Sequence, residues 1–317
     1  MSKYKRYSPI VIFSYNRLEN LRCLIDSLLK NPECKYSKLY IFQDFYKNKI
    51  EKKKFIQIIF YLESIKGFKK KIIFLRKKNL GLKNNIIYGI NKFFSLEKQG
   101  IFLEDDLVVS KNFLRFMNKC LFFYKRTKRV WSISGWNYNF SFKDKYDAIL
   151  IRYSSSWGWG TWADRWKNFK INPKYIINKW DQNKIFRFNL GNTYDYFSQI
   201  VRNYNGILNT WAIFWYATIF EKDGLCVCPK NSLVVNNGFN YKATNTKKIN
   251  KLHLTKLQQM NKNFSLPSII VENEKFIKKL INFIKKNKNS YNNKTLYFLS
   301  MIKNNIYIFL KNFNFFK

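Results

Sequence analysis

The sequence predicts an α/β protein built on an open parallel sheet, and three observations carry that prediction. Four short apolar runs lie at residues 9–13, 38–42, 71–75 and 101–103. Segments of helical periodicity separate them, which implies a parallel sheet with right-handed crossovers. The composition, 46% hydrophobic and 19% aromatic over 317 residues, supplies a core and argues against disorder.

Taken in order, the first run precedes Leu18, Leu21, Leu24, Ile25, Leu28 and Leu29, which recur at helical spacing. The second ends at Gln43 and Asp44 and leads into a helical stretch from about residue 51 to 66. The third is followed by a helix over 82–94, with Ile86, Ile87, Ile90, Phe93 and Phe94 on one face. The fourth runs straight into Glu104, Asp105 and Asp106, and Ser110 is the expected N-cap of a helix carrying Phe113, Phe116, Met117 and Cys120. After Arg129 the alternation weakens. Residues 130–135 read as a strand, 137–145 as a polar aromatic loop, and 153–166 as a segment with four tryptophans in ten residues. Trp211, Trp215 and Phe220 fall on a predicted helix. Residues 225–229 read as an edge strand ending at its proline. Residues 238–246 form a polar loop able to close over a ligand. From Lys247 the chain becomes Lys- and Asn-rich and helical, so the expected segments are 1–130, 131–246 and 247–317.

Charge and cysteine usage narrow the partners. Lys and Arg number 59 against 19 Asp and Glu, a formal net charge of +40. Such a balance suits nucleic acid, an anionic membrane surface or compositional drift. No zinc-finger spacing or aromatic-basic RNA-recognition signature is present, and the lysines are scattered, so nucleic acid is not the expected partner. The five cysteines are irregularly spaced and read as small apolar residues in a reducing compartment, which places the protein in the cytoplasm. A single histidine, His253, argues against a His-based zinc site or a Ser-His-Asp triad. No signal peptide and no unbroken membrane span is expected. Residues 296–316 mix aromatic and aliphatic patches with lysines and read either as a peripheral contact with anionic membrane at its inner surface or as a packed peripheral helix.

The chemistry is expected at Glu104–Asp106. Three carboxylates at the end of a buried strand repel one another and are costly to desolvate unless a cation offsets them, and a hard divalent ion would do so. Ligands of open α/β sheets bind at the carboxyl ends of the strands. Those ends present Asn16 with Arg17, Asp44, Asn79 with Gly81, and the acidic triplet, a set suited to a nucleotide with a metal-bound diphosphate. A glycine-rich phosphate turn is missing. Trp157 and Trp159 offer flat faces for a sugar ring, although about half of the tryptophans in that segment are expected in the core.

The segments Pro9-Ile-Val-Ile-Phe-Ser-Tyr-Asn-Arg17, Gln43-Asp44, Asn79-Leu-Gly-Leu, Phe102-Leu-Glu-Asp-Asp-Leu, Trp131-Ser-Ile-Ser-Gly-Trp-Asn137 and Trp157-Gly-Trp-Gly resemble metal-dependent GT-A glycosyltransferases. The likeness is to the β-1,2-N-acetylglucosaminyltransferases and to bacterial surface-polysaccharide sugar transferases, and covers roughly residues 9–245. It implies a Rossmann-like sheet with helices on both faces. Residues 1–130 would form the nucleotide-sugar-binding half, 131–246 the acceptor-side half and 247–317 a helical basic extension. Arg17 and Asp44 would hold the base and ribose, Asn85 would lie near a donor-contacting position, Glu104 and Asp105 would face the donor, and Asp106 would ligate Mn2+ or Mg2+. Thr244 would belong to the loop over the diphosphate. The implied activity is inverting transfer of a hexosyl or N-acetylhexosaminyl group from a nucleoside-diphosphate donor, a UDP-sugar by expectation, to a glycan or lipid-linked hydroxyl. One departure matters: where the family's catalytic carboxylate directly follows a tryptophan, Trp211 is followed by Ala212. Asp164 and Asp181 are then the candidate bases. The alternatives are a catalytically impaired sugar-nucleotide-binding scaffold and a basic nucleic-acid-binding protein.

Overall fold

A computed structural model describes residues 7–238, 256–261 and 263–289. The four apolar runs are strands β1 (Ile10–Ser14), β2 (Lys38–Gln43), β3 (Lys70–Leu75) and β4 (Gln99–Glu104), joined by helices α1 (Leu18–Leu29), α2 (Lys49–Ser64) and α3 (Gly81–Phe94). Beyond them come β5 (Leu107–Val109), α4 (Phe113–Phe123), β6 (Val130–Ser134), β7 (Ala148–Ile151), β8 (Trp159–Trp162) and α5 (Ala163–Trp166). Three short helices follow, α6 (Pro173–Lys179), α7 (Gln182–Phe188) and α8 (Tyr196–Tyr204). The described chain continues with α9 (Ala212–Glu221), β9 (Leu225–Pro229), β10 (Val234–Asn236) and α10 (Glu274–Asn289).

The chain divides into two compact units, residues 1–172 with 209–276, and residues 173–208 with 277–317. The first holds a mixed eight-stranded sheet in the order β3-β2-β1-β4-β8-β6-β9-β7, flanked by helices in a Rossmann-like arrangement. Strands β1 to β4 are mutually parallel, with Ile12 opposite both Ile41 and Leu103. Strand β8 runs antiparallel to both β4 and β6, so β6 and its parallel neighbour β9 point the same way as β4. The carboxyl ends of six strands therefore share one edge of the sheet. Strands β2 and β3 lie on one side of β1 and β4 on the other, so right-handed crossovers send α1 and α2 to one face and α3 to the opposite face. On the α3 face Phe13, Phe42 and Phe74 stack across three strands, with centroids 5.7 Å and 4.7 Å apart. Strand β5 leaves the main sheet and pairs antiparallel with β10.

Two local expectations are corrected. Strand β9 is interior, because β7 pairs along its outer side from Ala148 opposite Pro229 to Ile151 opposite Cys226. Its burial and apolar sequence follow from that position. The N-cap of α4 is Asn112, with Ser110 two residues before it accepting from the Phe113 N–H through its carbonyl. The expected helical character from Lys247 begins within the described residues only at Glu274, and residues 256–261 are not helical. Residues 239–255, which include most of the predicted polar loop, and residues 290–317 lie outside the described residues.

The second unit is helical where it is described. Trp180 packs edge-on against Phe188 at 4.9 Å. Asp181 and Asp195 cap the amino ends of α7 and α8, their carboxylates accepting from the Lys184 and Ser198 N–H groups.

Candidate active site

The site is assembled from the carboxyl ends of β1, β2 and β4. Main-chain bonds bring these ends level: the Asp44 N–H donates to Ser14 O at 2.9 Å and the Asp105 N–H to Phe13 O at 3.1 Å. Gln43, fully buried, stiffens the corner by accepting from the Ser14 hydroxyl and donating to Tyr15 O, each at 2.7 Å. The Tyr15 hydroxyl donates to Glu51 at the start of α2, and Asn16 Nδ2 donates to the same carboxylate at 3.2 Å. Residues 15–17 are thus held from two sides.

Glu104 ends β4, and Asp105 and Asp106 form its link to β5. The Tyr15 N–H donates to Asp105 Oδ2 at 3.1 Å, and Arg17 Nη1 donates to Asp106 Oδ2 at 2.9 Å. Asn236 Nδ2 lies 3.4 Å from Asp106 Oδ1, while the Asn237 N–H donates to Asp106 O at 2.8 Å. The charge balance is unfavourable. Burial, then the charges of Asp106 and Asp105, push Glu104 up to about 8 against the pull of Arg17. Burial and Asp106 push Asp105 up to about 7, again against Arg17. Burial raises Asp106 as well, with the Arg17 guanidinium opposing it. Three carboxylates face one guanidinium, and a second cation would relieve the cluster.

Among the described residues no group of three or more His, Cys, Asp or Glu side chains is arranged to hold a metal ion. An ion of the Mg2+ type needs no such group, since it keeps its waters and binds through one or two carboxylates together with substrate phosphates. The crowded oxygen donors of Asp106 and Asp105 fit that mode. Gly238 lies against Asp106: a Cβ there would stand 2.3 Å from Asp106 Oδ2, so a larger residue would have to displace this carboxylate.

No protein-family model matches the sequence, and no curated protein matches it. The chain is similar to part of several solved structures. One is S. aureus TarS, at 14% identity with TM-score 0.36 over 52% of this chain and 30% of that one. Another is TarS 1–349 of S. aureus in complex with UDP-GlcNAc, at 13% identity with TM-score 0.35 over 51% and 47%. A third is the mannosyltransferase PcManGT from Pyrobaculum calidifontis in complex with GDP-Man and Mn2+, at 10% identity with TM-score 0.33 over 42% and 36%. The chain spans less than half the length of each. Likenesses this partial leave the fold to be defined by the strand order given above.

The structure brings Arg17, Asp105 and Asp106 together and treats the other expected site residues differently. Asp44 is buried at the same sheet edge, but its carboxylate accepts from the Phe45, Leu80 and Gly81 N–H groups, each at 2.9 Å, and so caps α3 at a turn where Gly81 has φ +73°. Asn85 is buried and structural, accepting from Arg76 Nε at 2.8 Å and donating to Phe42 O. Trp159 lies inside, with ring centroids 4.8 Å from Phe102 and 5.5 Å from Trp211. Trp157 is half-buried at the carboxyl edge, edge-on to Trp136 at 5.1 Å. Asp164 follows β8 and so lies at the amino end of β4, roughly one strand length from the acidic turn, on the order of 17 Å. Burial would raise its pKa, but bonds from Lys128 and Arg165 outweigh that and hold it below the usual range. Asp181 belongs to the second unit, where it caps α7. Thr244 lies outside the described residues.

One residue at the site was missed in the sequence: Asn236, which reaches Asp106 beside Gly238, the first residue of the expected loop, and the Asn237-Gly238 dipeptide was a readable turn signal. Arg76, at the end of β3, lies 4.2 Å from the Tyr88 ring centroid and 5.2 Å from that of Phe42, an arrangement with no local sequence signature.

Proposed function

We propose that the protein is a metal-dependent glycosyltransferase of the GT-A kind, moving a sugar from a UDP-sugar or related donor to a hydroxyl of a glycan or lipid-linked acceptor in bacterial surface-polysaccharide synthesis, on the cytoplasmic side. The observation that carries this reading is the meeting of the acidic turn with the β1 tip. In an open α/β sheet that crevice, where the strand order reverses between β1 and β4, is the ligand site.

In this reading Asp106, seconded by Asp105, holds Mn2+ or Mg2+. When bound, such an ion stabilises negative charge on a leaving diphosphate, a role worth several kcal/mol. Arg17 orients Asp106 and supplies positive charge toward the phosphates. Asp44 fixes the amino end of α3, whose free N–H groups border the nucleotide side. Trp157 offers its accessible face to a sugar ring, and Gly238 lies beside Asp106; Thr244, outside the described residues, is the hydroxyl that the resemblance assigns to the diphosphate. Inversion would follow from direct attack of the acceptor hydroxyl, whose proton a carboxylate must accept. Asp164, held ionised by two cations, is a poor base, so Asp181 is the sequence candidate to test.

A second reading, a donor-binding scaffold that transfers nothing, is favoured by one feature: α9 begins with Ala212, where the resemblance expects a carboxylate. The test is heat stabilisation and nucleotide release measured for a panel of sugar nucleotides with and without Mn2+. Stabilisation and release that both vanish in Asp106→Asn support transfer, and an Asp181→Asn variant losing release alone would assign the base. Stabilisation without release with any acceptor supports the scaffold. Neither, with any donor, would sink both readings.

A further inference from the structure

Beyond Glu274 at its first position, the outer face of α10 carries charge of one sign. Lys275, Lys278, Lys279, Lys285 and Lys286 are all exposed, and at about 100° per residue they fall within an arc of roughly 120°. Phe276, Ile277, Leu280 and Ile284 fill the opposite arc and are buried. Three lysines elsewhere stand beside acids, Lys38 with Glu97, Lys128 with Asp164 and Lys230 with Asp147. Among the described residues none of the five α10 lysines has such a partner. The sequence explains why: residues 275–317 contain ten lysines and no Asp or Glu.

We infer that this face of α10 docks on an anionic lipid bilayer. The inference stands apart from the sugar-transfer reading and would survive its failure. Two features favour lipid over nucleic acid. All ten cations are lysines, point charges on flexible stems suited to a diffuse anionic surface, whereas phosphate recognition in nucleic acids favours the bidentate guanidinium. Residues 290–317 add eight aromatic residues among four of those lysines, a composition that partitions into the membrane interface. Lysines near an anionic surface add roughly equal increments of affinity, so the contributions of five on one helix sum.

The experiment is co-sedimentation of the full chain with phosphatidylglycerol–phosphatidylcholine vesicles and with phosphatidylcholine alone, over a range of salt. Two charge-matched variants are compared, one with all five α10 lysines changed to Gln, the other with Lys49, Lys52, Lys53, Lys54 and Lys66 changed to Gln on and just after α2. Matched thermal unfolding of both variants checks that they fold. Salt-sensitive binding to the anionic vesicles, weakened at least about tenfold in the α10 variant and less than about threefold in the α2 variant, is the expected result. Equal losses in both variants would reduce the effect to overall charge and overturn the assignment, as would equal binding to phosphatidylcholine. Tighter binding to an RNA of mixed sequence than to vesicles, lost in the α10 variant, would overturn it in favour of a nucleic-acid face.

Discussion

The guanidinium of Arg17 donates to the carboxylate of Asp106 across 2.9 Å, and the two residues follow strands β1 and β4, between which the sheet reverses its winding. The crossover leaving β1 and the crossover arriving at β4 run on opposite faces, which opens the crevice that the pair bridges. Arg17 is also the side-chain cation that opposes the upward shifts of all three acids in the turn.

Arg17→Met removes that opposition and leaves the carboxylates to repel one another. The variant is expected to lose about 1–2 kcal/mol of stability at pH 8, where Glu104 and Asp105 give up their protons, and less at pH 5, where those two keep them; the pair is partly screened, so the loss falls short of that for a fully buried pair. Urea unfolding at the two pH values checks this, and equal losses at both would refute it.

The raised acids also set a pH dependence for the metal-free protein. Glu104 and Asp105 ordinarily titrate near 4.5 and 3.8 but are held up to about 8 and about 7. Between those limits the unfolded chain releases protons that the folded chain keeps, so their contribution is fully present below the ordinary values and is lost as pH rises through about 7 to 8. The unfolding midpoint should fall across that window. Glu104→Gln should flatten its upper part, and a rising midpoint toward pH 8 would contradict the account.

Gly238→Ala places a methyl group against the Asp106 carboxylate and against Asn236 Oδ1, 2.9 Å away. The Asp106 side chain is the movable partner, so the expected result is a small change in unfolding midpoint with a loss of about tenfold in metal-dependent nucleotide affinity, within the range for overpacking one methyl group. Calorimetric titration of UDP with Mn2+ reads the affinity directly.

The two tryptophans of the Trp157-Gly-Trp-Gly stretch should separate by readout. Trp159→Ala empties a site among Phe102, Trp211 and Trp215 and is expected to cost about 3–5 kcal/mol of stability. Trp157→Ala, at a half-buried position, should cost much less and act on sugar-nucleotide or acceptor affinity instead. Similar unfolding midpoints for the two variants would contradict this division.

Legibility followed the range of the interactions. Strands β1 to β4 and helices α1 to α3 were readable because each apolar run and each helical stripe is written within a dozen or so consecutive residues. Strand β9 was misjudged as an edge because its last partner, β7, is a four-residue segment whose residues pair with it from 75 to 81 positions earlier. Asp44 illustrates the same limit at the site. Its place at a strand end was legible, but the three backbone N–H groups that occupy its carboxylate come partly from residues 80 and 81.

By itself the sequence determined the alternation of strands and helices and the crowding of three acids at the end of one strand, since periodicity and adjacency are local properties of the chain. Tertiary structure alone decided which cation faces those acids, which backbone lies against Asp106, and which tryptophan is accessible. Those outcomes depend on strand order and on the β5–β10 pairing, which bring together residues 89 and 130 positions apart, and no local pattern encodes such a meeting.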